Sequence, residues 1–136
     1  MGYLLYKELS YKLQGAFFAV YKEFGNAYKE VIYHNALIEE LKNIDIYVES
    51  ERHINVYYRD KKVGVYVPDL VIENSIIAEI KCKPRLTQED IKQFWYYLKG
   101  SEFKVGYLVN FGSLGKVEYI RRVYDTARNK PERTFA

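Results

Sequence analysis

The sequence predicts an α/β fold in which a mixed central β-sheet, made of an antiparallel meander plus a helical crossover, is flanked by helices. Two segments near the N-terminus place apolar residues at three- and four-residue spacings, which is typical of helices with one buried face. The middle of the chain alternates apolar and polar residues with a period of two, which is typical of strands. A third helical segment then leads to two further strands, and such a crossover predicts mixed strand directions.

The three predicted helices have recognisable ends. The first spans roughly Tyr6–Phe24 and stops at Gly25-Asn26, since both residues tolerate the positive φ of a helix C-cap. The second covers the apolar positions between Tyr28 and Leu41. The third is predicted to span Thr87–Gly100, with Thr87 as its N-cap and acidic residues in its first turn.

The strands are predicted from the alternating stretches and the turns between them. Residues 44–58 alternate, Arg59-Asp60-Lys61-Lys62 predicts a turn into Val63–Ile72, and Glu73-Asn74 predicts the next turn, into Ser75–Cys82. These stretches are expected to form a meander of three antiparallel strands. After the third helix, the last two strands are predicted at Phe103–Phe111 and Lys116–Val123.

Composition narrows the class of protein. With 136 residues, of which 49% are hydrophobic, the chain fits a single domain over residues 1–136. No apolar run approaches the roughly 20 residues of a membrane span, so no membrane partner is expected. Charged residues near the N-terminus, where a signal peptide would be apolar, favour a cytoplasmic protein. The single Cys82 excludes an internal disulfide and a thiolate metal site.

Charge and tyrosine content point weakly to a polyanionic partner. The net charge is +3, and a basic tail at about residues 124–136 follows Arg121 and Arg122. This tail fits either a solvated terminus or a segment that contacts the phosphates of a nucleic acid. We favour the solvated terminus. The 15 tyrosines fit either rings packed on the core with wet hydroxyls or rings that stack on bases.

Asp69, Glu79 and Lys81 carry the chemistry that the sequence predicts. Glu79 and Lys81 are two apart on one strand, so their side chains share a face. Pro68 predicts a bend that lets Asp69 lean toward Glu79. Carboxylates about 4–5 Å apart repel each other, and bound Mg²⁺ or Mn²⁺ would remove the repulsion. The pattern therefore predicts a metal site with the Ile80 carbonyl as a further ligand and Lys81 beside the reacting phosphate.

The same residues also fit a structural alternative. Glu79 and Lys81 would then form the solvent-exposed face of an amphipathic strand, and Asp69 would flank a turn. Glu-x-Lys is a common string on strands, so the pattern alone leaves both interpretations open.

The ordered motifs resemble the PD-(D/E)XK nuclease superfamily and, more narrowly, its GxxExxY proteins. The signature stands here as Pro68-Asp69, nine residues, and Glu79-Ile80-Lys81. Further matching stretches run in order over residues ~6–112: Tyr6–Lys12, Ala27–Tyr33, Ala78–Lys81, Gln93–Leu98 and Val105–Gly112. The glycine of GxxExxY falls at Ala27, whereas Glu30 and Tyr33 are kept. The resemblance implies a restriction-endonuclease-like PD-(D/E)XK core.

The resemblance also implies roles for individual residues. Asp69 and Glu79 would hold the metal, and Lys81 would assist the attacking water. Glu30 would face the same pocket, as a ligand through water or as a helper base. Two further roles follow from the resemblance: a hydrogen bond from Gln93 into the site or to a phosphate, and a pocket wall formed by Tyr33. Substrate contacts are also expected from Arg121 and Arg122, on the separate ground that they belong to the basic C-terminal stretch.

Two of these residues also fit an interpretation without a role at the site. Glu30 and Gln93 also fit surface positions on their helices, and without the resemblance a solvated side chain is the preferred interpretation for Glu30. His34 and His53 have no ligand spacing with each other and lie outside the predicted site.

The implied function is that of a Mg²⁺- or Mn²⁺-dependent nuclease that acts on nucleic acid, with DNA favoured over RNA. An alternative is a catalytically inactive module that keeps the nuclease fold and binds nucleic acid or a protein partner. A chain of this size would need a homodimer or a partner protein to grip a duplex.

Overall fold

Three α-helices and seven β-strands form from residues 6–124, the part of the chain that the computed structural model describes. The helices are α1 (Lys7–Phe24), α2 (Glu30–Asn43) and α3 (Gln88–Gly100). The strands are β1 (Val48–Ser50), β2 (Ile54–Tyr58), β3 (Lys61–Tyr66), β4 (Leu70–Ile72), β5 (Ile76–Lys81), β6 (Val105–Asn110) and β7 (Glu118–Val123). The predicted basic tail lies outside the described residues, apart from Tyr124.

The central sheet has five strands in the order β1-β4-β5-β6-β7. β5 and β6 are parallel, and the other neighbouring pairs are antiparallel. α3 connects β5 to β6, as a crossover between parallel strands requires. The predicted α/β class with a mixed central sheet is therefore confirmed.

The predicted meander is wrong at Val63–Ile72, which is not one strand. β3 ends at Tyr66 and pairs with β2 in a separate two-stranded sheet, whereas β4 starts at Leu70 and pairs with β1 and β5. Pro68 lies in the break, where it cannot donate a ladder hydrogen bond. The chain therefore passes from the small sheet to the central one at Pro68.

The predicted turns and helix ends are close to those observed. Arg59 and Asp60 have φ values of 51° and 62°, and Glu73 and Asn74 have φ values of 51° and 54°, which is the left-handed backbone of tight hairpin turns. Thr87 caps α3 through a reciprocal capping box with Asp90.

Alternate residues of β5 face opposite layers of the protein. Ile76, Ala78 and Ile80 pack in the core beneath α1 and α2. Ile77 packs in a second core with α3 and the β2–β3 hairpin. Because side chains alternate along a strand, Glu79 lies on the Ile77 face, where the apolar layer ends. Within residues 6–124, no helix combines the length and apolar character that a membrane crossing requires.

Candidate active site

Two hydrogen bonds connect Asp69 to neighbouring residues of β5, one to Glu79 and one to Ile80. The backbone N–H of Asp69 donates to Oε1 of Glu79 over 2.9 Å. In return, Oδ2 of Asp69 accepts from the backbone N–H of Ile80 over 2.7 Å. Leu70 pairs with Ala78, so Asp69 enters β4 directly opposite Glu79 on β5. The structure thus brings together the two carboxylates that the sequence paired, and it fixes one oxygen of each.

The environment of Glu79 disfavours its charged form. Burial raises the pKa of this carboxyl most, and the charge of Asp69 raises it further, to about 7. The hydrogen bond from the Asp69 N–H and the charge of Lys81 offset only part of this effect. A cation between the two carboxylates would relieve both causes, because it would replace lost hydration and cancel like-charge repulsion.

Lys81 and Glu30 lie within electrostatic reach of the same carboxylates. Lys81 follows Glu79 on the same face of β5, and its charge lowers the pKa of both Glu79 and Glu30. No carboxylate of the described residues lies within salt-bridge distance of the Lys81 ammonium. Partial burial and the charge of Asp69 raise the pKa of Glu30, at the start of α2. Glu30 is therefore close enough to Asp69 and Lys81 for their charges to act on it, and its role at the site stays a prediction.

His34 contacts the site although the sequence analysis placed it outside. Its Nε2 lies 3.2 Å from the backbone carbonyl oxygen of Asp69, so Nε2 is the donor in this contact. Its charge also acts on Glu30, one helical turn earlier on α2. The signal for His34 was its i, i+4 spacing from Glu30, rather than any spacing from His53.

Tyr66 is a second residue that the sequence analysis missed. It is 5% exposed, and its ring stacks on Tyr97 with centroids 4.2 Å apart. Its buried hydroxyl makes no hydrogen bond of full geometry within residues 6–124, but it is close enough to the Glu79 carboxyl for a weak hydrogen bond to act on both groups. Burial raises the pKa of this phenol, and the neighbouring charges of Glu79 and Asp69 raise it further. No sequence signal separates Tyr66 from the other tyrosines of the chain.

The positions of Gln93 and Ile80 are compatible with their expected roles, which stay predictions. Gln93 is exposed on α3, one turn from both Asp90 and Tyr97, and its amide makes no hydrogen bond within residues 6–124. Ile80 is buried, and its N–H holds Asp69 as described above.

Tyr33 does not line the pocket, which corrects that expectation. It is fully buried and stacks on Phe111, with ring centroids 4.8 Å apart. Its hydroxyl donates to the carbonyl oxygen of Gly25 over 2.5 Å and accepts from the N–H of Tyr28 over 3.3 Å. Tyr33 therefore ties the α1–α2 loop to the core, because a buried phenol needs partners for its hydroxyl.

The structure also does not bring Arg121 and Arg122 to the carboxylates. Both lie on β7, two strands away from β5. Nε of Arg121 contacts Ser10 on α1, over 3.3 Å. Arg122 points to the opposite face, toward α3, since neighbouring strand residues alternate. Period-two alternation could have predicted that these two residues do not share a site.

A polar network fixes the chain immediately after Lys81. Oδ1 of Asn110 accepts from the N–H of Lys83 over 2.9 Å, and Nδ2 of Asn110 donates to the Lys83 carbonyl over 2.9 Å. Gly112 packs against the same backbone so closely that a Cβ would lie 2.3 Å from the Lys83 nitrogen. Any larger residue at position 112 would therefore displace the end of β5.

The donor set of this site suits a hard divalent cation. Asp69 and Glu79 each keep one carboxylate oxygen that takes no part in the hydrogen bonds from the Ile80 and Asp69 N–H groups. Within the described chain, no group of three or more His, Cys, Asp or Glu side chains is arranged to hold a metal. Mg²⁺ usually needs only one or two carboxylates, since waters and substrate phosphates complete its shell. The residues therefore fit Mg²⁺ or Mn²⁺ better than a metal that requires an all-protein cage.

The comparison with protein families agrees with this geometry. The family model of the PD-(D/E)XK nuclease superfamily matches residues 7–123, from the start of α1 to the end of β7. The chain therefore belongs to the PD-(D/E)XK nuclease superfamily. Nucleases of this superfamily generally use divalent metal ions. Neither a curated protein nor a solved structure matches the chain significantly.

Proposed function

We propose that this member of the PD-(D/E)XK nuclease superfamily is a nuclease dependent on Mg²⁺ or Mn²⁺, with DNA as its preferred substrate. The observation that carries the proposal is the Asp69–Glu79 pair, which is positioned by one hydrogen bond between the two residues and one from the Ile80 N–H to Asp69, with Lys81 on the same strand face as Glu79. The Glu30 and Tyr33 spacing supports the narrower proposal that the chain is one of the GxxExxY proteins.

Asp69, Glu79 and the Ile80 carbonyl would hold the metal. When bound, the ion would supply positive charge to the phosphate and increase the acidity of a water molecule. Lys81 would orient the attacking water and offset charge that develops on the phosphate oxygens. Its lack of a salt bridge within residues 6–124 supports this role, because the ammonium does not have to leave a partner first.

Three further residues would complete the pocket. Glu30 would accept a proton from the water, and its raised pKa makes it a better base than an ordinary carboxylate. Gln93 would donate its amide to a phosphate oxygen. His34 would hold the Asp69 backbone in place through its contact with the carbonyl oxygen.

A nuclease fold without catalysis is the second candidate. One observation favours it: the inner oxygens of both carboxylates are already bound by backbone N–H groups. Metal-induced stabilisation separates the candidates, since a ligand that binds only the folded state must raise the melting temperature.

The experiment compares wild type with Asp69→Asn, which keeps an acceptor oxygen for the Ile80 N–H. Glu39→Gln is the matched control, because Glu39 is a carboxylate on α2 with 76% side-chain exposure. Melting curves are recorded in EDTA, Mg²⁺ and Mn²⁺, and cleavage is measured on single-stranded, duplex, nicked and branched DNA and on RNA. We expect wild type and Glu39→Gln to be stabilised by metal and to cleave, and Asp69→Asn to do neither.

A stable wild type without a metal shift and without cleavage of any substrate would overturn the nuclease proposal. A homodimer or a partner protein is part of the proposal for duplex substrates, because one small domain covers little of a duplex. The mass in solution, with and without DNA, tests that part.

A further inference from the structure

A surface of aromatic and basic side chains lies on the flank of α3 that faces β7. We call it the aromatic–basic surface; its members are Lys92, Trp95, Tyr96, Lys99, Arg122 and Tyr124. With Gln88 and Ile91, four of them line a shallow depression of about 480 Å³. The site with Asp69 and Glu79 is not part of it.

The rings of this surface are already arranged around a cation. The Lys99 ammonium lies 5.7 Å from the Trp95 ring centroid, 5.1 Å from that of Tyr96 and 5.5 Å from that of Tyr124. Trp95 and Tyr124 meet edge to face with centroids 5.6 Å apart. Tyr96 remains 58% exposed, so one ring offers a face to a ligand without any rearrangement.

The positive charge of the aromatic–basic surface favours an anionic partner. Lys92, Lys99 and Arg122 surround the rings, and Glu89 is the acidic residue of the same exposed side of α3. Cations beside exposed rings fit a ligand that combines phosphates with flat, accessible bases. A duplex hides its base faces by stacking, so unpaired nucleic acid fits better than a double helix.

The position of the surface relates it to the carboxylates. Phe94 and Leu98 bury the inner side of α3. Tyr97, which stacks on Tyr66 beside Glu79, lies on one flank of the helix, and Trp95 lies on the other. A strand that leaves the carboxylates over the outer side of α3 passes Gln93 and Tyr96. It has to cross only the width of one helix, roughly 10 Å.

We propose that the aromatic–basic surface binds an unpaired segment of nucleic acid, with Tyr96 and Trp95 stacking on its bases and the three cations contacting its phosphates. The proposal rests on the proposed function for the identity of the substrate, and it adds that the substrate carries a single-stranded part. It also gives Arg122 a substrate contact, at a place other than the carboxylates.

Trp95 supplies the measurement, because it is the single tryptophan of the chain. Wild-type protein in EDTA is titrated with unlabelled single-stranded oligothymidylate, and tryptophan fluorescence is recorded at two salt concentrations. We expect quenching that saturates and affinity that falls steeply with salt. A duplex of the same length should bind more weakly and quench less.

Variants locate the binding. Tyr96→Ala should weaken oligothymidylate binding roughly 5- to 100-fold, which is the usual effect of losing one stacking ring. Arg122→Glu should weaken it and reduce its salt dependence. Tyr11→Ala is the matched control, because Tyr11 is 79% exposed on α1, and its affinity should equal that of wild type.

Absence of saturable quenching, equal quenching by duplex or by heparin, or an unchanged affinity in Tyr96→Ala would each overturn the inference. Circular dichroism of each variant excludes unfolding as the cause of a loss. Because the titration contains EDTA, it is independent of cleavage. Quenching by a protein that never cleaves would refute the proposed function alone, and cleavage without quenching would refute this inference alone.

Discussion

Replacing Glu79 with glutamine is expected to stabilise the metal-free protein at neutral and alkaline pH. In the unfolded chain, Glu79 has the usual pKa of 4.5. In the folded protein, burial and then the charge of Asp69 raise the pKa of Glu79 to about 7. The folded state therefore binds the proton more tightly, and its stability falls as the pH rises from about 4.5 through about 7. Glutamine has no charge to bury and does not show this loss.

The size of the effect follows from the same pKa difference. One pKa unit corresponds to about 1.4 kcal/mol, so the charged carboxyl of Glu79 costs the folded state about 3 kcal/mol above pH 7. Glutamine retains an acceptor oxygen for the Asp69 N–H, and the stronger hydrogen bond of the charged carboxyl is already contained in the pKa of about 7. The expected gain is therefore about 3 kcal/mol at pH 8, and it disappears near pH 4.

Urea unfolding in EDTA at pH 4, 6 and 8 measures this gain. For a domain of this size, about 3 kcal/mol moves the urea midpoint by about 1.5 M. Glu39→Gln should show no such pH-dependent gain, because its carboxylate is exposed. Saturating Mn²⁺ should then close the gap, since wild type gains about 2.7 kcal/mol at one hundred times the dissociation constant and Glu79→Gln does not. A Glu79→Gln protein that is less stable than wild type at pH 8, or equally shifted at all three pH values, would refute the reasoning.

Three other substitutions test separate parts of the molecule. Lys81→Ala should keep the metal-induced rise in melting temperature but abolish cleavage, and a loss of metal affinity would contradict the role of Lys81 at the phosphate. Tyr33→Phe should lower the free energy of unfolding by about 1–1.5 kcal/mol in urea, because two loop hydrogen bonds are lost. Cleavage per folded molecule should stay unchanged, and a selective loss of cleavage would show that Tyr33 does line the site. Asp90→Ala should destabilise the protein by about 1–2 kcal/mol at pH 6. Burial disfavours the charged form of Asp90, but Lys83 and Thr87 outweigh it and lower the pKa to about 2. The loss of stability in Asp90→Ala should therefore be present above about pH 4 and shrink as the pH falls toward 2. A loss of the same size at pH 2 would contradict the stabilising role given to the Asp90 charge.

The sequence predicted those features that depend on neighbours along the chain. The α3 cap at Thr87 and the turn at Glu73-Asn74 follow from local residue preferences. That short turn sets the register of β4 against β5, and the register alone places Asp69 opposite Glu79. The central pair of the site was therefore within reach of the sequence.

Features that depend on how separate segments pack were not predictable in the same way. The transfer of the chain between two sheets at Pro68 depends on which strands are available as partners, and β1 takes the place beside β4. Tyr66 reaches Glu79 only because the hairpin folds back over that face of the sheet. Arg121 and Arg122 are different, since their opposite faces follow from simple alternation.

The environment of Glu79 differs from that of a solvent-exposed strand face. A carboxylate on a solvated strand face would be open to water and would keep its usual pKa. Glu79 is instead half-buried beneath Tyr66, and burial together with Asp69 raises its pKa to about 7. The surrounding fold holds it there through the backbone hydrogen bonds to Asp69 and through the Asn110 network that fixes the end of β5. Burial accounts for most of the cost of about 3 kcal/mol that the charged Glu79 imposes on the folded state, and the charge of Asp69 adds to it. A cation held by the free oxygens of both carboxylates would offset both contributions, so the geometry and the electrostatics of the pair both favour a site that binds a cation.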